Sequence, residues 1–172
     1  MNILLVGYMG SGKSTVGRAL AQHKKMDFID LDDYILQQQG CDIPSIFSLK
    51  GELFFRKIER EALLEVLQNF ANTVIAVGGG TPCYFSNMED IVASAHFSCY
   101  IQAKIPTLVQ RLWNEKMQRP MISHLDSEAQ LSEFVGKHLF ERAPFYQKAK
   151  ATIQVDDRTL EEIVQDIDQI LA

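Results

Sequence analysis

The chain has 172 residues, 47% of them hydrophobic, which suits one domain with a full core. A net charge of -5 and a pI near 5.3 supply no basic field for nucleic acid. No apolar run approaches membrane length, the N-terminus lacks the basic segment of a targeting peptide, and the odd set Cys41, Cys83 and Cys99 has no metal-ligand spacing. These features predict a cytoplasmic protein with small buried thiols and neither membrane nor nucleic-acid partners.

Ile3-Leu4-Leu5-Val6 is an apolar run of the kind that forms a buried strand. It leads into Gly7-Tyr8-Met9-Gly10-Ser11-Gly12-Lys13-Ser14, which fits the phosphate-loop pattern G-x-x-x-x-G-K-[ST]. Glycines let the backbone turn tightly and bring its N–H groups close to an anion. The following helix adds its positive end, Lys13 suits the β- and γ-phosphates, and the Ser14 hydroxyl suits Mg²⁺. A chance glycine-rich turn is the competing reading. The strand before the loop, and Val16, Ala19 and Leu20 at helical spacing after it, favour the phosphate loop.

Phe28-Ile29 then runs into Asp30-Leu31-Asp32-Asp33. Carboxylates at a strand end suit the neighbourhood of a Mg²⁺–nucleotide; alternatively Asp30 or Asp32 caps a helix from Tyr34 to Gln39 that Gly40 ends. Behind a phosphate loop the first reading is favoured, because ligands of parallel α/β sheets sit at the carboxyl ends of strands. A short helix is predicted over 42–50, capped by Asp42 and followed by Gly51. A longer one follows from Glu52 to Gln68, with Phe55, Ile58, Ala62, Leu63, Val66 and Leu67 as its apolar stripe. Lys57, Arg60 and Glu61 read as its solvated face.

Thr73–Val77 is a second buried-strand run, followed by Gly78-Gly79-Gly80-Thr81-Pro82. Three glycines at a core-strand end point to close approach of backbone to a ligand rather than to a plain loop. A helix over Asn87–Ala95 capped by Ser86, a strand over Phe97–Ile101, and a helix opened by Pro106 and ending near Trp113 come next. From Asn114 to Asp126 the periodicity stops, as expected of a lid. Ser127-x-x-Gln130 reads as a capping box for a helix interrupted around Arg142-Ala143-Pro144 and restarting through Phe145 and Tyr146. Thr152–Val155 is a last strand, and Thr159-x-x-Glu162 caps a final helix with Ile163, Ile167, Ile170 and Leu171 on one face. The alternation predicts an α/β fold with about five parallel strands and helices on both faces.

In this order, G-x-x-G-S-G-K-S at 7–14, F-I-D-x-D at 28–32, F-R-x-I-E at 55–59, G-G-G at 78–80, Q-R-P at 118–120 and E-R-A-P-x-Y at 141–146 resemble the shikimate kinases, from Met1 to the last helix. The resemblance implies a three-layer α/β/α P-loop kinase fold, nucleoside-monophosphate-kinase-like, with a five-stranded parallel sheet. It implies one domain, 1–172, with a substrate-binding insert at about 31–60 and a lid at about 114–126. ATP would lie on Gly10, Ser11, Gly12, Lys13, Ser14 and Thr15, with Arg119 closing from the lid. Arg158 in the segment Asp156–Arg158, and Arg111, are the adenine-side candidates. Mg²⁺ would sit on Ser14, with Asp30 acting through water.

Shikimate, by the same resemblance, would place its 3-hydroxyl near Asp32 and its carboxylate on Arg56 and Arg142, with Gly78, Gly79 and Gly80 lining the pocket. Glu59 would orient Arg56. Lys13, Asp32 and Arg119 carry the catalytic roles, and the expected state is a monomer that meets only shikimate and ATP, in the pathway to chorismate and the aromatic amino acids. Guanidinium forks suit a carboxylate, and a carboxylate suits hydroxyls, so the chemistry agrees independently. The alternative is another small-molecule P-loop kinase, such as a gluconate kinase. A guanine-nucleotide switch is disfavoured because no N-K-x-D motif is present.

Overall fold

The apolar run at the start of the chain is buried at every position because it forms the middle strand of a sheet covered on both faces. The computed structural model describes Met1–Ala172 and contains five strands: β1 (Asn2–Val6), β2 (Asp27–Asp30), β3 (Thr73–Ala76), β4 (Phe97–Gln102) and β5 (Ala151–Gln154). All four pairings are parallel, in the order β2-β3-β1-β4-β5, with Leu4 opposite both Ile75 and Ser98. This register brings the ends of β2, β3 and β1 side by side on one edge. Asp30, the triple glycine and the phosphate loop therefore emerge as neighbours, although they lie far apart in the sequence.

The helices are α1 (Lys13–Lys24), α2 (Leu31–Gln39), α3 (Ile43–Lys50), α4 (Glu52–Asn69), α5 (Asn87–Ser94), α6 (Ile105–Glu115), α7 (Glu128–Tyr146) and α8 (Leu160–Leu171). Helix α1 packs on β3 and α8, α4 on α2, α3 and α5, and α6 on α7. The expected start signals at Asp42 and Thr159 both form, the second as a complete capping box. No helix is long and apolar enough to cross a membrane.

Several local expectations are corrected. Helix α2 starts at Leu31, three residues early, because Asp30 Oδ1 accepts the Asp32 backbone N–H at 3.0 Å and supplies the cap. Helix α7 runs unbroken through Pro144. Proline forfeits one backbone bond to the residue four before it, but here the helix has only two residues left, and buried Arg142 and Tyr146 anchor the turn. Ser86 donates its hydroxyl to Asp90 and makes no cap, whereas Ser127 Oγ accepts the Gln130 backbone N–H at 3.2 Å and caps α7; Gln130 Oε1 accepts from the Asp126 N–H instead of that of Ser127, so the capping box is half formed. Arg60 is half-buried and ties α4 to α5 through Asn87 (2.7 Å) and Asp90 (2.9 Å), rather than lying on a solvated face. Val164 joins Ile163 and Ile167 in the core, while Ile170 is exposed. Cys99 alone is a buried thiol; Cys83 is half-buried and Cys41 exposed. The stretch after α6 is folded against the core, with a short 3-10 turn at Lys116–Gln118 and Ile122 fully buried.

Candidate active site

The phosphate loop takes its shape from backbone that only glycine adopts easily, at Gly10 (φ 79°) and Gly12 (φ 97°). The N-terminal turn of α1 has no acidic residue and no side-chain cap, so its N–H groups face the cleft. Lys13 Nζ donates to the Gly7 carbonyl at 2.9 Å and the Tyr8 carbonyl at 3.0 Å. Burial pulls its pKa down to about 8, against the opposing pull of Asp32 and Asp30. Ser14 Oγ donates to Asp30 Oδ2 at 2.5 Å. Asp30 thus caps α2 with one oxygen and meets Ser14 with the other. A hydroxyl beside a carboxylate is a hard-oxygen donor pair that fits Mg²⁺, which keeps several waters and takes oxygens from phosphates. No cluster of three or more His, Cys, Asp or Glu could hold a metal by itself.

Two clefts meet at this edge. The first, about 490 Å³, is lined by the loop from Gly10 to Thr15 and by Arg111, Arg119 and Arg158. The second, about 330 Å³, is lined by Phe47, Phe55, Arg56, the triple glycine and Arg142. Asp32, Arg119, Met9, Gly78 and Gly79 line both, so Asp32 and Arg119 stand at the junction. Burial, then Asp30 and Glu59, push Asp32 up to about 6.

The acceptor-side arginine is built into the core. Arg56 Nη1 donates to Glu59 Oε2 at 2.9 Å, and Glu59 Oε1 accepts from Thr81 Oγ1 at 2.7 Å. The Tyr84 ring stacks on the guanidinium with its centroid at 4.0 Å, and the Tyr84 hydroxyl donates to Glu52. Burial alone would lower the Arg56 pKa, but Glu59, Tyr84 and Glu52 together raise it. Arg56 Nε has no hydrogen-bond partner.

The triple glycine is explained by its neighbours. A Cβ on Gly80 would lie 2.6 Å from Arg56, on Gly78 3.0 Å from Asp32, and on Gly79 3.0 Å from the Met9 backbone nitrogen. The close approach is to the site's own side chains and loop, and all three glycines line the second cleft.

A family model for shikimate kinase matches residues 9–172. The chain belongs to the shikimate kinase family. It is 44% identical to the shikimate kinase of Flavobacterium johnsoniae, over 99% of this chain and 98% of that one. Among solved structures it resembles the shikimate kinase of Bacteroides thetaiotaomicron, at 36% identity and TM-score 0.92, covering 99% of this chain and 98% of that one. It also resembles the shikimate kinase of Acinetobacter baumannii solved in complex with shikimate, at 32% identity and TM-score 0.86, covering 99% and 92%. These matches favour a shikimate kinase over a gluconate kinase, and the chain is an ATP-dependent phosphotransferase of the P-loop kinase fold.

Within this shikimate kinase family member, the residues expected from the sequence fall into the two clefts with few exceptions. Arg119 ion-pairs with Glu115 at 2.7 Å. Arg158 lines the first cleft and is held by Asp166 at 2.7 Å. Arg111 lines it too and donates to the carbonyls of Gly10 and Ser11, bracing the loop. Asp156 turns away to Thr107 and the Lys104 N–H, so the adenine-side candidates reduce to Arg158 and Arg111. Thr81 and Tyr84 were not legible as site residues. Both act on Arg56 across the fold, and only their closeness to the triple glycine hinted at the site.

Proposed function

We propose that the chain transfers the γ-phosphate of ATP to the 3-hydroxyl of shikimate, giving shikimate 3-phosphate and ADP for chorismate and aromatic amino-acid synthesis. The observation that carries this reading is the meeting of a phosphate-loop cleft with a second cleft bearing two buried arginines, Arg56 and Arg142, at Asp32 and Arg119. Arginine forks suit the shikimate carboxylate, and Phe47 and Phe55 suit its ring. Asp32 then faces the hydroxyl, accepting its hydrogen bond and its proton. Lys13 and Arg119 supply positive charge along the transferring group, and Ser14 with Asp30 through water would hold Mg²⁺, which when bound neutralises charge on the β- and γ-phosphates. Gly10 to Thr15 bind the phosphates, with Arg158 and Arg111 on the adenine side. The segment near 31–60 serves as substrate insert and that near 114–126 as lid, in a single cytoplasmic, monomeric domain. A lid that excludes water protects ATP from hydrolysis.

An ADP-release assay with Mg-ATP tests the reading directly. Turnover is expected with shikimate and not with gluconate or nucleoside monophosphates. Turnover with gluconate but not shikimate would overturn it.

The pH dependence follows from Asp32 and Lys13. Asp32 must be ionised and Lys13 protonated, so kcat/KM is expected to rise through about pH 6 and fall above about pH 8. Asp32→Asn removes the acid limb and lowers kcat by roughly 10²- to 10⁴-fold. The stability effect has the opposite sign. The folded protein binds the Asp32 proton more tightly than the unfolded chain, so its ionisation erodes stability as pH rises through about 4 to 6. Asp32→Asn should therefore raise Tm at pH 8 and leave it nearly unchanged at pH 4. A lower Tm at pH 8 would contradict the assigned burial of this carboxylate.

A further inference from the structure

Much of what holds Arg56 comes from one short segment outside α4. Thr81 Oγ1 donates to Glu59, the carboxylate that grips Arg56, and the Tyr84 ring stacks on the guanidinium. Between these two contacts runs a single 3-10 turn, Thr81–Cys83, closed by the Cys83 N–H on the Gly80 carbonyl at 2.9 Å. Gly80, just before the turn, lies so near that a Cβ there would fall 2.6 Å from Arg56 Nη2. One 3-10 turn has poor hydrogen-bond geometry and little stability of its own. Where Thr81 and Tyr84 point must therefore be fixed from outside the turn.

Asn87 grips the segment at both ends. Its side-chain Nδ2 donates to the Thr81 carbonyl at 2.8 Å, and its backbone N–H donates to the Tyr84 carbonyl at 3.2 Å. Asn87 opens α5, is wholly buried and lines neither cleft, so it meets no substrate. Its Oδ1 accepts from Arg60 Nη1 at 2.7 Å. A guanidinium can only donate and a backbone carbonyl can only accept, so the amide has a single orientation, with Nδ2 on Thr81. Burying a side-chain amide is costly where a leucine of similar volume is not. Packing alone does not call for asparagine here, whereas a donor aimed at Thr81 does.

We propose that Asn87 is a positioning residue for shikimate binding. By holding the segment from Thr81 to Tyr84, it fixes the Glu59 and ring contacts that aim Arg56 into the acceptor cleft. This rests on the reading above in which Arg56 takes the shikimate carboxylate; Asn87 acts only through that arginine. No residue of the segment lines the nucleotide cleft, so ATP binding is expected to be insensitive to the change.

Steady-state kinetics of the full chain, with shikimate and Mg-ATP varied in turn, tests this beside Tm. Asn87→Leu keeps the volume and removes both side-chain bonds. It is expected to raise the KM for shikimate by about 5-fold or more, the size of one hydrogen bond, and to change kcat and the KM for Mg-ATP by less than about 2-fold. Arg60→Met is the comparison for a purely structural role. It removes the same Arg60–Asn87 bond and the Asp90 pair between α4 and α5, but leaves the Thr81 bond in place. It should lower Tm and change the KM for shikimate by less than about 2-fold. Thr81→Val drops only the hydroxyl on Glu59, and it decides the matter should Asn87→Leu fail to fold. It should raise the KM for shikimate by about 3-fold or more, again with the KM for Mg-ATP steady. An equal rise in Asn87→Leu and Arg60→Met, or an unchanged KM for shikimate in folded Asn87→Leu or in Thr81→Val, overturns the proposal and leaves the two-cleft reading intact. An unmodified protein that does not turn over shikimate would overturn that reading, and the positioning role with it.

Discussion

Lys13→Met is expected to lower kcat by roughly 10³-fold, the effect of removing one cation from a phosphoryl-transfer site. Methionine keeps the length and apolar volume of the stem, so the change removes charge and little else. The fold should tolerate the loss. Burial already works against the Lys13 ammonium, as its pKa of about 8 shows, and its hydrogen-bond partners are two neutral carbonyls. Leaving those carbonyls short of a donor costs stability, and relieving a desolvated charge returns some of it. The net change in Tm should stay within about 4 °C. Circular-dichroism melting and steady-state kinetics measure the two effects separately. A variant that melts normally and turns over at the unmodified rate would remove Lys13 from the mechanism.

Glu59→Ala is expected to destabilise the protein by about 3–5 kcal/mol, because it strands a buried guanidinium. Glu59 is 1% exposed and its two oxygens serve Arg56 and Thr81. With Glu59 gone, Arg56 keeps the weak approach of Glu52 at 3.5 Å and its contacts with the Tyr84 and Phe55 rings. At about 2–4 °C per kcal/mol for a chain of this size, Tm should fall by roughly 6–20 °C. The KM for shikimate should rise in parallel, since the guanidinium is no longer held in the acceptor cleft. Glu52→Ala is the control. Its side chain is 54% exposed, so loss of this partner should cost under about 1 kcal/mol. Equal losses in the two variants would show that burial of the Arg56–Glu59 pair does not set its strength.

The sequence by itself determined the parts of this protein whose causes are local. The strand–loop–helix unit from Asn2 to Lys24, the caps at Asp42 and Thr159, and the glycine turns depend on backbone bonds and conformations spanning a few residues. The motif spacings were equally legible, because Lys13, Asp32, Arg56, Arg119 and Arg142 each sit in a short recognisable pattern. Tertiary structure alone decided how these pieces act together. Pro144 stays inside α7 because flanking side chains are anchored in the core, against its local preference. Arg60 leaves the solvated face because α5 brings Asp90 to it. Asp30 serves both α2 and Ser14, and Gly80 must be bare, because the β2-β3-β1 order stacks three distant segments on one edge. Contacts of this kind join residues far apart in the chain, and their partners are chosen by strand order and close packing, which no local pattern records.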